Sequence, residues 1–496
     1  MQRVRNSGIL LHPTSLPGPG GIGSFGAEAR KFIDFLQASG QSLWQVLPLG
    51  YTSYGNSPYM CYSAFAGNPL LIDLDQLVAE GDLNADDLRR KVTAERVDYP
   101  LVMDYKFGAL RSAAARFFAG GRSSRMEEFW HFCDTTPWLH DFALFMALKE
   151  QYSGHSWCDW PEDLVGRDRD VLAKASTHLG SRIGEHKYQQ WQFFRQWHEL
   201  RKYASQKGVG IFGDIPIFVA YDSVDVWANP QLFHLDKVGR PTVVAGVPPD
   251  YFSKTGQLWG NPLYNWDAMA QDGYSWWIDR VRSSLDLYDL IRIDHFRGFA
   301  ACWEVPYGET TAINGQWVPG PGEELFAALA AALGDLPIVA EDLGSITPDV
   351  ELLRDRFSFP GMKILQFAFG SGPNNPYLPH NHVRSSVVYT GTHDNDTTLG
   401  WFTSLSAQEK KLVLHYLDRP AESIVWDLIR TALASVADTC ILPLQDLLEL
   451  PGDSRMNFPG TAYGNWSWRV GKGILTAKLA KRLRGLTETY GRSLNR

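Results

Sequence analysis

The chain has 496 residues, 44% of them hydrophobic and 21% charged, the make-up of a globular protein large enough for several domains or one heavily decorated barrel. A net charge of −8 and a pI near 5.9 supply no basic field, so nucleic acid and anionic membrane surfaces are poor partners and a neutral ligand fits better. The opening twenty residues lack a signal-peptide core and no later stretch approaches ~18 apolar residues, so a cytoplasmic location is expected; five scattered cysteines without C-x-x-C argue against a disulfide framework and a zinc site.

In chain order, residues 8–15 (GILLHPTS) read as a first strand, 25–40 as a helix, and 42–49 as a second strand. Helical patterns at 137–151 and 186–208 then predict that 51–208 is an inserted helical subdomain. A third strand at 209–219 leads into an excursion over 220–273, rich in Pro, Gly, Asn and aromatics, the composition of a functional loop. A helix at 274–287 precedes the fourth strand, 290–296. Strands follow at 336–342, 362–369, 386–394 and 439–447, with helices at 323–333, 347–357 and 423–437. Eight strand–helix alternations predict an α/β fold, a (β/α)8 TIM barrel forming one catalytic domain over 1–496, with a helical insertion after the second strand and a long loop after the third. A doubly wound open sheet is the alternative. After the eighth strand about fifty residues remain, helical at 472–485. They are too few for a C-terminal β-sandwich of ~100 residues.

Two glycine-rich matches, GPGGIG (18–23) and GVGIFG (208–213), fail as dinucleotide sites. The first lies several residues beyond its strand, with no acidic residue ending the next one, and the second runs into a strand instead of following one. HDND (393–396) could supply hard metal ligands, but neighbouring residues on a strand end diverge and no second ligand motif accompanies it, so no metal is expected.

IRIDHFRG (291–298) carries the most telling pattern. Alternation puts Arg292 and Asp294 on one strand face, where charges are tolerated only if paired. Taken alone, a structural ion pair is the simpler reading. In a barrel enzyme, however, reacting groups project from the carboxyl ends of several strands. Asp214, Asp294, Glu341 and Asp394 all sit at such ends, with Arg292 and His393 among them. Four converging acids are a poor stability device and suit a reaction that develops positive charge on its substrate, as glycoside cleavage does. Aromatic residues make up 13% of the chain, which a large core explains and sugar-ring stacking would also use.

These residues fall within a series of ordered motifs: LHPTSLPG (11–18), GNSPY (55–59), FGDIPIFVA (212–220), GVPPDYFS (246–253), LWGNPLY (258–264), RIDHFRG (292–298), AEDLG (340–344), GTHDN (391–395), NFPGT (457–461) and GNWSWR (464–469). Together they resemble, along nearly the whole chain, 4-α-glucanotransferases of the amylomaltase or disproportionating-enzyme type, glycoside hydrolase family 77 of the α-amylase superfamily. The resemblance implies transfer of α-1,4-glucan segments to a sugar 4-hydroxyl, with maltooligosaccharide or glucan donors, glucose or glucan acceptors, and no cofactor. It implies Asp294 as nucleophile, Glu341 as acid/base, and Asp394 as the third carboxylate. Arg292, His393 and Asp214 would bind the sugar beside the cleaved bond, and Tyr59 and Trp259 would line the cleft. The loop from Gly246 to Asn265, with Tyr251, Phe252 and Trp259, would cover the site. Arg292 should hold the Asp294 pKa down while apolar surroundings raise that of Glu341. A hydrolytic α-amylase-like glycosidase and a non-catalytic glucan-binding protein are the competing classes.

Overall fold

The computed structural model describes residues 5–88, 95–249, 253–418, 423–461 and 463–493. Among the described residues twelve strands appear in chain order: β1 (Asn6–Leu10), β2 (Leu43–Gln45), β3 (Gly210–Ile215), β4 (Val243–Val247), β5 (Gln257–Pro262), β6 (Leu290–Ile293), β7 (Ala301–Pro306), β8 (Gln316–Pro319), β9 (Ile338–Ala340), β10 (Gly361–Ile364), β11 (Ser386–Tyr389) and β12 (Thr439–Pro443). Eight of them form a parallel sheet in the order β10-β11-β12-β1-β2-β3-β6-β9. These are the eight strands expected from sequence. Their short, almost wholly buried runs are what a parallel sheet covered by helices requires.

The sheet curls into a barrel whose last seam, between β9 and β10, is thinly bonded. Ala340 N–H donates to Pro360 O at 2.9 Å, and the Asp342 carboxylate accepts Met362 N–H at 2.7 Å and Arg354 at 2.5 Å. Gly361 is required there, because a Cβ would sit 2.2 Å from that carboxylate. The fold is therefore the α/β TIM barrel, and the open doubly wound sheet is excluded by this closure.

Between β2 and β3 lie several helices, among them Tyr99–Ala119, Ser124–Thr135, Leu139–Gln151 and Gly180–Gln206. The last begins earlier than its apolar pattern suggested and ties back to the barrel through Trp197, whose Nε1 donates to Leu287 O at 3.1 Å. Trp44, Trp157, Trp197, Trp227 and Trp277 are among the largest fully buried side chains, so much of the aromatic content is core.

The excursion after β3 is not loop throughout. Within it β4 and β5 pair antiparallel, and β4 pairs in turn with β7, giving a second sheet in the order β5-β4-β7-β8. Segments on either side of β6 thus build one wall beside the barrel mouth. The last helix runs over Ala477–Thr489 instead of 472–485, because the Thr476 side chain caps it by accepting Leu479 N–H at 3.2 Å. Among the described residues no helix is long and apolar enough to cross a membrane.

Candidate active site

The β3–β6 register sets Asp214 directly opposite Arg292. Arg292 Nε donates to both Asp214 oxygens at 3.0 Å, and its Nη2 reaches on to Asp294, just past the strand end. The same Nη2 lies 3.3 Å from the Tyr59 hydroxyl, which donates to Asp214 Oδ2 at 2.7 Å. Exposure rises outward along this chain of contacts: 0% for the Asp214 side chain, 3% for Arg292 and 32% for Asp294. The innermost carboxylate anchors the guanidinium, and the guanidinium presents its free edge to the outer one. That is the physical reason a buried strand tolerates these charges.

Burial pushes the Asp294 carboxyl well above the usual carboxylate range; Arg292 is the largest opposing influence, while Glu341, Asp214 and Asp394 add to the rise. This corrects the expectation that Arg292 would set a low value. The guanidinium charge is divided between two carboxylates, so it cannot outweigh desolvation at the second.

Glu341 directly follows β9, the strand paired with β6. Its Oε2 accepts His295 N–H at 2.7 Å and its Oε1 accepts Leu343 N–H at 3.0 Å. Burial lifts its pKa to about 7 against the pull of Arg292 and these two amides, with Asp342 adding a smaller push. The raised value expected for Glu341 is therefore present, with burial as the leading cause.

On the other side of the mouth, after β11, His393 stacks on Tyr59 with ring centroids 5.2 Å apart. Its Nε2 lies 3.3 Å from Asp394 Oδ2. Burial lowers the His393 pKa below its ordinary value despite Asp394. The Asp394 side chain is 45% exposed, and Asn457 Nδ2 donates to its Oδ1 at 2.6 Å. Trp259, on β5, packs edge-to-face on His295 with centroids 4.7 Å apart. Asp214, Arg292, Asp294, Glu341, His393, Asp394, Tyr59 and Trp259 are thus linked by contacts around one opening. Tyr251 and Phe252 lie outside the described residues. Among the described residues no cluster of three or more His, Cys, Asp or Glu is arranged to hold a metal ion.

The family model described as 4-alpha-glucanotransferase matches residues 11–475. The chain belongs to the 4-alpha-glucanotransferase family. It is 52% identical to the 4-alpha-glucanotransferase of Synechocystis sp., covering 99% of this chain and 98% of that one, and 50% identical to that of Thermus thermophilus, covering 99% and 100%. Among solved structures, the amylomaltase from Streptococcus agalactiae in complex with acarbose matches with a TM-score of 0.96 at 44% identity, covering 99% of this chain and 100% of that one.

For this 4-alpha-glucanotransferase family member, four residues at the mouth went unassigned in the sequence reading. Asn457 holds Asp394, and Arg455 donates to the Asp394 carbonyl at 2.5 Å and to Asn457 O at 2.6 Å. Trp466 packs against both Tyr59 and His393 with centroids 6.0 Å from each. His295 places its amide on Glu341. Asn457 and Trp466 stand in the NFPGT and GNWSWR motifs, which was the available signal. They lie on loops, where no strand position advertises them.

Proposed function

We propose that this chain performs its family's reaction, 4-α-glucan transfer, by double displacement, with Asp294 as nucleophile and Glu341 as acid/base. The observation that carries the reading is the pairing of two differently treated carboxyls at the ends of neighbouring strands: one touched by a guanidinium, the other held only by neutral amides. Arg292 touches Asp294 directly and reaches Glu341 only through space, which favours the charge on Asp294 and the proton on Glu341, against the burial that raises both.

Asp294 attacks the anomeric carbon while Glu341 protonates the departing glycosidic oxygen, which leaves a covalent β-glycosyl-enzyme. Glu341, now ionised, takes the proton from an acceptor's 4-hydroxyl, and a second inversion restores the α-linkage. Retention by this route requires carboxyl groups ~5–5.5 Å apart. Asp394, steadied by Asn457 and His393, grips hydroxyls of the sugar beside the cleaved bond and stabilises the developing positive charge. Arg292, Asp214, His393 and Tyr59 shape that subsite. Trp259 offers an apolar face to the next sugar. The donor is an α-1,4-glucan or maltooligosaccharide, a class supported by the acarbose complex of the Streptococcus agalactiae amylomaltase. The acceptor is glucose or a second glucan. The wall built from β4, β5, β7 and β8 beside Trp259 supports a water-excluding mouth, so that a sugar captures the intermediate.

Maltotriose decides the matter. Transfer replaces each bond broken, so the expected products are glucose and a ladder of longer oligosaccharides while total reducing ends stay nearly constant. One new reducing end per bond cleaved, with nothing longer than the substrate, makes the protein a hydrolase and overturns the proposal.

A further inference from the structure

Residue 295 adopts φ 51° and ψ 50°, a left-handed conformation uncommon outside glycine, which Asn, Asp and His take more readily than other residues and β-branched ones hardly at all. Its position is telling. In an extended chain, successive N–H groups point to opposite sides; across a curled residue they converge. Here His295 N–H donates to Glu341 Oε2 at 2.7 Å and Phe296 N–H to Glu341 O at 3.1 Å. Glu341 N–H returns the contact to Ile293 O at 3.0 Å. The curl therefore ties the residue after Asp294 to both the backbone and the side chain of Glu341. Its ring is half-buried, edge-on to Trp259 at 4.7 Å between centroids and 6.5 Å from Phe218. Strained backbone of this kind persists only where its surroundings hold it.

We propose that His295 is a positioning residue: its curled backbone fixes the Glu341 carboxyl through its own N–H, and its ring braces Trp259 at the mouth. The inference rests on Glu341 being the acid/base. Other ionisable groups act on Glu341 or are acted on by it: Asp294 and Arg292 from the β6 end, Asp342 beside it, and Tyr377. All four are left unchanged in the variants below, so a shift reports the amide. A hydrogen bond to the ionised carboxylate lowers its pKa, and loss of that bond raises it.

The test compares His295→Val, whose branched side chain resists a positive φ, with His295→Asn, which tolerates it. The Glu341 carboxyl is titrated directly by carbon-13 NMR of glutamate-labelled protein, its signal assigned as the one missing in Glu341→Gln. In His295→Val the titration is expected to move up by about one pH unit, with the alkaline limb of kcat/KM for maltotriose following it. In His295→Asn both stay near their original pH, while the KM for acceptor glucose rises several-fold because Trp259 has lost its support. Should His295→Val not fold, His295→Ala replaces it, with a smaller shift of the same sign. An unmoved Glu341 titration in a folded Val or Ala variant, or an equal shift in His295→Asn, overturns the proposal. If the NMR titration moves while the kcat/KM limb does not, the positioning stands and the acid/base reading of Glu341 falls.

Discussion

The two sides of the β6–β9 strand pair end in a carboxyl each, and the molecule supports them by different means. Asp294 rests on a guanidinium that is itself pinned by the wholly buried Asp214. Glu341 rests on two backbone N–H groups, and Arg292 reaches it only through space. A guanidinium supplies a full charge that favours the ionised form, although at Asp294, which shares it with Asp214, burial still outweighs it. Amides fix direction, and at Glu341 burial lifts the pKa to about 7 against both of them and Arg292, felt through space. On the proposed function, neighbouring strand ends then hold one group to donate a pair of electrons and the other to donate a proton.

The most drastic way to break this contrast is Asp294→Asn, because an amide cannot form the glycosyl-enzyme. Turnover of maltotriose should fall on the order of 10⁴-fold or more with the fold retained; a folded variant of near-normal activity, checked for contaminating wild type, removes Asp294 from its role. Glu341→Gln separates the two sides by their chemistry. It should slow maltotriose turnover by about 10²–10⁴-fold, yet leave the first step intact for an α-glucosyl fluoride, whose leaving group needs little protonation. Equal impairment of both donors in single-turnover measurements speaks against Glu341 as the acid.

Asp214→Asn probes the anchor. It strips a buried guanidinium of its bidentate partner and should cost about 3 kcal/mol of stability in urea unfolding. A stability unchanged within error means the guanidinium is held from elsewhere. The smallest effect is on stability against pH. The Glu341 pKa in the fold, about 7, lies above its ordinary 4.5. Its contribution is therefore full below about pH 4.5 and is lost as pH rises through about 7. Between pH 5 and 8 the Tm of Glu341→Gln should gain about 1–2 °C relative to wild type; a gap that stays constant with pH contradicts the raised value.

The barrel was legible because each strand is a short apolar run ending in polar, Gly or Pro residues, and strand alternation alone put Arg292 and Asp294 on one face. The second sheet was not. β4 meets β7 more than fifty residues later, and pairing at that distance leaves no periodic trace in one sequence; Gly246 and Pro248 disguised the strand further. At the mouth, Asp214, Glu341 and Asp394 were visible as acids at strand ends, whereas Asn457, Arg455 and Trp466 come from a loop whose folded path only the structure supplies. The Arg292 charge was misjudged for a related reason: its division with Asp214 is a cross-strand register effect.

The loop that brings Asn457 to Asp394 is closed late. Val470 N–H bonds Ser15 O at 2.8 Å, Arg469 reaches Gly18 O at 3.2 Å, and β1 pairs with β12. During synthesis, then, the earliest residues wait for partners more than four hundred positions downstream. Asp294 and Glu341 leave the ribosome long before Asn457 and Trp466 exist to complete the opening around them. A nascent chain that stops short of Asn457 carries Asp294 and Glu341 without the partner of Asp394, so on the proposed function the opening is completed only once synthesis has passed Trp466.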